Sequence, residues 1–79
     1  MFMVEVLMSA FDDKGMVEEQ NRNTRYFDNI DNAMADYADE YDVLEDLSHY
    51  CTGWDIFVIS IFGGSELLKM QTIRCEKDE

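Results

Sequence analysis

Seven carboxylates, Asp31, Asp36, Asp39, Glu40, Asp42, Glu45 and Asp46, fall in a stretch from Asp28 to Tyr50 that holds no Lys or Arg. Carboxylates at such density can serve acid–base catalysis, hold a divalent cation, or present fixed negative charge to a partner. A calcium loop alternates its oxygen ligands through a tight turn that includes glycine. Asp36 to Asp46 contains no glycine and keeps a helical beat. A glycosidase-like pair needs a cleft, which a chain of 79 residues rarely encloses. Nucleophilic catalysis would rest on the single histidine, His49, near Ser48 and Cys51; adjacency in sequence is not a triad, and a histidine at a helix end more often caps it. His49, Cys51 and distant Cys75 lack the paired close spacings of a zinc site. Gly63-Gly64 carries a hairpin signal rather than a phosphate-binding one. The sequence therefore leads us to expect no enzyme, no catalytic residue, no metal and no cofactor, and the remaining chemistry is that of an array of charge.

Helical spacing positions that array. Ile30, Ala33, Met34, Tyr37, Tyr41 and Leu44 recur at intervals of three and four, which predicts a helix from about Ile30 to Leu47 with that stripe toward a core. Most of the acids fall outside the stripe, with Glu40 near its border. Asp28 or Asn29 can cap the start, and Asp31 suits the positive end of the helix dipole. Glu45 and Asp46 oppose the other end at about 0.3 to 1 kcal/mol each, and the like pairs Asp39/Asp42 and Asp42/Asp46 cost a few tenths more. The helix gives up local stability to be acidic.

Strand patterns flank it. Phe2, Val4, Val6, Met8 and Ala10 alternate with a mixed face, and Asp12-Asp13-Lys14-Gly15 closes a hairpin. A weaker, largely polar second strand returns from Met16 toward Tyr26 and Phe27, which suits an edge or a bulge. Trp54 to Phe62 is apolar at nearly every position and reads as the strongest strand, and Glu66 to Cys75 returns after Gly63-Gly64. The order is ββαββ in one domain, residues 1–79: an α+β fold with a four-stranded, mainly antiparallel sheet and the acidic helix packed on one face. One helix covers one face only. We take Phe57, Ile59 and Ile61 as the candidate surface for self-association into a homodimer.

Composition sets the partners. The net charge is −12, and residues 28–55 supply nine acids and no base. Such a surface repels phosphates and anionic membranes and attracts cationic partners, so neither direct nucleic-acid binding nor membrane binding is expected. There is no basic lead of a secretory signal and no apolar run of bilayer length, so the expected location is the cytoplasm, with both thiols reduced.

From Asp31 to Asp46 the helix would rise about 22 Å, with one acid per roughly 3.2 Å, against a phosphate per about 3.4 Å on one DNA strand. A small, single-domain, very acidic chain with a compact sheet and a carboxylate-rich surface resembles phage-encoded inhibitors of bacterial defence, namely anti-CRISPR proteins and DNA mimics. The likeness lies in size, charge and layout, without a shared motif. It implies a non-enzymatic inhibitor acting in the host cytoplasm, which occupies the basic nucleic-acid-binding surface of a larger protein or complex, such as a CRISPR effector. Asp36, Asp39, Asp42 and Asp46 would then stand where phosphates lie. Two other readings of the residues remain: a self-associating structural or regulatory module whose acidity serves solubility, and a protein of a salt-rich cell.

Overall fold

Alternation at the N-terminus builds strand β1 (Phe2–Phe11), with Val4 and Val6 buried on one face. The structure, a computed structural model, describes residues 1–50 and 53–75. The Asp12 carboxylate accepts hydrogen bonds from the backbone N–H groups of Lys14 and Met16, and Gly15 takes φ +79°, where a side chain is penalised. That turn sends β2 (Val17–Phe27) back antiparallel to β1. Helix α1 (Ile30–Ser48), β3 (Ile56–Gly63) and β4 (Glu66–Arg74) follow. The fold is α+β, four antiparallel strands in one sheet of order β2-β1-β3-β4 plus one helix. The polar second strand lies at an edge and carries a bulge, since Ala10 faces Glu19 and Phe11 faces Val17, leaving Glu18 over.

Register decides which side of the sheet becomes the core. Met8, Val6 and Val4 of β1 stand opposite Phe57, Ile59 and Ile61 of β3, so all six share one face. Helix α1 lies on that face and contributes Ala33, Tyr37 and Leu44 to the same buried cluster. Phe57, Ile59 and Ile61 are 0% exposed. They cannot serve as a self-association surface, which corrects the expectation from sequence. The physical reason is pairing: β1 has one clearly apolar face, and whichever residues of β3 align with it go under the helix. Ile56, Val58, Ser60 and Phe62 take the uncovered side. The molecule measures 42 × 22 × 15 Å, and its short axis is that of two layers.

The helix stripe is also rotated from the one expected. Ala33, Tyr37, Leu44 and Ser48 are buried, whereas Ile30 and Met34 remain 43% and 41% exposed. Ile30 lies in the first turn, and Met34 is one residue, or about 100°, round from Ala33. Ser48 is tolerated in the core because its hydroxyl donates to the Glu45 carbonyl at 2.6 Å.

Candidate functional site

Asn29 begins the acidic helix: its extended backbone stops the preceding chain, and its side-chain oxygen accepts from the N–H groups of Asp31 and Asn32. His49 caps the other end, its N–H bonded to the carbonyls of Asp46 and Leu47. No basic residue lies in the last turn. The carbonyl-rich end of the helix therefore adds to the charge of Glu45 and Asp46 instead of being offset by a cation.

The seven predicted acids separate into two sets. Asp36 and Glu40, four residues apart, lie on the flank of α1 that faces β2 and are half-buried. Arg25 stands opposite Val4, and this register places it on the helix side of the sheet. Its guanidinium reaches Asp36 at 2.8 Å and Glu40 at 3.0 Å. The hydrogen bond to Asp36 and the charge of Glu40 hold Arg25 more firmly protonated than usual. The Asp36 Oδ2 atom is buried with no hydrogen-bond partner among the described residues. These two acids fasten the helix to the sheet, so Asp36 is not placed to imitate a phosphate, contrary to the expectation from sequence.

Asp31, Asp39, Asp42, Glu45 and Asp46 are exposed, and among the described residues none of them pairs with a Lys or Arg. Asp31 stands alone near the start of the helix, with Ala35 and Ala38 between it and the rest. The other four occupy the second half of α1. From Asp39 to Asp46 the axis rises about 10 Å, one carboxylate per roughly 3.5 Å. Asp42, Glu45, Asp46 and His49 border an open depression of about 290 Å³. Among the described residues no group of three His, Cys, Asp or Glu side chains is placed to hold a metal ion.

The opposite flank of the helix is tied to β4. The buried Tyr37 hydroxyl donates to Gln71 Oε1 at 2.7 Å, and Lys69 Nζ lies 5.4 Å from the centre of its ring. Burial, and then the neighbouring Tyr41, raise the Tyr37 phenol above its ordinary range. Arg25 on one side and Tyr37 on the other thus fix the roll of the helix about its axis, which decides which acids face outward. Sequence reasoning passed over both anchors because each bridges elements whose alignment is set by strand pairing. Cys75 Sγ donates to the Ser48 carbonyl at 3.3 Å. Cys51 lies outside the described residues.

No family model matches the chain, and comparisons with curated proteins and with solved structures return no match. No helix among the described residues is long and apolar enough to cross a membrane.

Proposed function

We propose that the chain is a non-enzymatic inhibitor that lays the second half of its acidic helix on the basic nucleic-acid-binding surface of a larger protein or complex, such as a CRISPR effector, and competes there with DNA or RNA. The observation that supports this reading is the division of the acids. Asp36 and Glu40 share the single positive charge of Arg25 in holding the fold together, while four others in the second half of the helix face outward without a basic partner among the described residues. Unpaired carboxylates at the wrong end of a helix dipole cost about 0.3 to 1 kcal/mol each. A structural role does not return that cost, whereas a cationic partner does. Such a partner meets the carboxylates at close to the rise of a phosphate strand, about 3.4 Å.

The test is the triple reversal Asp39→Lys, Asp42→Lys and Asp46→Lys. Immobilised wild-type protein should capture a nucleic-acid-binding protein or complex from bacterial lysate, and duplex DNA or molar salt should release it. The triple variant should capture none of it, yet unfold at a higher temperature than wild type because the dipole conflict is relieved. Capture that survives the reversal, or that DNA does not displace, overturns the reading.

A further inference from the structure

We propose that the uncovered face of the sheet is a contact between two copies of this chain, packed sheet on sheet with their acidic helices turned outward. The strand registers assign the residues. Met3 and Leu7 of β1 align with Phe62 and Val58 of β3, and across the next strand boundary Phe62 meets Leu67 while Ser60 meets Met70. Leu67 and Met70 are 47% and 56% exposed. Two apolar rows, Met3–Phe62–Leu67 and Leu7–Val58, thus cross the face on either side of the row that holds Glu5, Ser60 and Met70, and apolar surface of this extent is seldom left bare. Ser60, small and buried in the middle row, and Ser9 near the end of β1 keep those parts of the face low enough for a second sheet to approach.

Charge selects the occupant. The same registers place only three charged side chains of the strands on this face: Glu5, Arg22 and Arg74. Glu5 and Arg22 pair at 3.8 Å, which leaves the face close to neutral. Nearly all the net charge of −12 therefore lies elsewhere, concentrated on α1. Two copies approaching by any route that brings the helices together repel one another. Approach by the uncovered faces sets the two helix layers at opposite ends of the assembly, several Debye lengths of about 8 Å apart. A basic partner would be drawn to the helix side, and an acidic one repelled by most of the surface.

Size and edges agree with a face contact. Four strands about 4.8 Å apart and eight to eleven residues long project to roughly 500 to 700 Å². Side-chain relief brings that toward the approximately 800 Å² per partner of a stable interface. Extension through the edges is opposed on both sides. Glu18 bulges from β2, and Leu68 from β4, where Ile61 faces Lys69 and Phe62 faces Leu67.

The test uses the double variant Leu67→Glu and Met70→Glu, chosen because both side chains are already exposed and the fold of one copy does not need them. Sedimentation equilibrium of the wild-type chain at about 100 µM should give twice the 9.3 kDa mass. The variant should give the single mass with an unchanged far-ultraviolet circular dichroism spectrum. Raising sodium sulfate from about 50 mM to 1 M should tighten the wild-type dimer severalfold by favouring apolar contact, the helices being too far apart to oppose it. A wild-type monomer at this concentration overturns the proposal, as does a dimer that survives the double substitution or weakens with salt. Because the variant leaves the helix acids in place, a failure here does not bear on the inhibitor reading, and capture by the helix would persist in the monomer.

Discussion

Replacing Ile59 and Val58 by alanine, one at a time, sets the two faces of one strand against each other. Ile59 is 0% exposed and sits mid-sheet, between Val6 of β1 and Gln71 of β4 and beneath the helix. Nothing around it can collapse readily, because β1 and β4 hold it on both sides and Tyr37 roofs the same cluster. Truncating a buried isoleucine to alanine costs about 2 to 5 kcal/mol, through lost transfer energy and the cavity left behind. A chain of 79 residues has in total about 4 to 12 kcal/mol to lose. Even the low end of the cost should lower the melting temperature by about 8 °C or more. Val58 is half-buried on the uncovered side, where truncation forfeits part of two methyl groups, under about 1 kcal/mol. Urea unfolding followed by circular dichroism, at low micromolar concentration so that each copy is on its own, should show a large fall in midpoint for Ile59→Ala. The fall for Val58→Ala should be small, with equal slopes for both. Equal losses, or a larger loss for Val58→Ala, would refute the assignment of faces and with it the core.

Two further outcomes follow from single side chains. Asn29→Ala removes the acceptor for two helix N–H groups and should cost about 1 kcal/mol, whereas Asn29→Asp should cost little; thermal unfolding at neutral pH distinguishes them. Because the folded state raises the Tyr37 phenol and so favours its neutral form, the stabilisation from this group is complete below about pH 10 and disappears as pH rises through the raised value. Tyr37→Phe should therefore lose about 0.5 to 1.5 kcal/mol at neutral pH, with the hydrogen bond to Gln71, but show a flatter decline above pH 10. Stability measured from pH 8 to 12 tests this, and parallel curves would remove Tyr37 as the titrating group.

The elements were legible because each has a period of its own. Alternation marked β1, the apolar run marked β3, and Asp12 to Gly15 marked the first turn, where Gly15 does carry a positive φ. The polarity of β2 announced an edge. What could not be read was anything decided by register. Β3 is apolar on both sides, so its sequence alone does not say which side meets the helix. Ser60 was the available clue: it is the lone polar residue from Ile56 to Phe62, and it shares a side with Val58 and Phe62 rather than with Ile59. Arg25 lies within the polar second strand, and only its alignment with Val4 turns it toward Asp36 and Glu40. Density of charge in the sequence thus overstated the free array by the two acids that Arg25 holds.

The strand order also has a consequence for how the chain is made. The two central strands, β1 and β3, come from opposite halves of the sequence, and three of the eight residues in the buried cluster belong to β3. A growing chain that has reached residue 50 holds a hairpin and an amphipathic helix with the middle of their shared core still missing. Closure waits for Ile56 to Ile61, a pairing across more than forty residues that adds the slow, non-local step to folding. That same segment is the stickiest in the protein, apolar and rich in β-branched residues. Arriving late, it meets its template already synthesised, so during translation it spends little time without strand β1 to pair with.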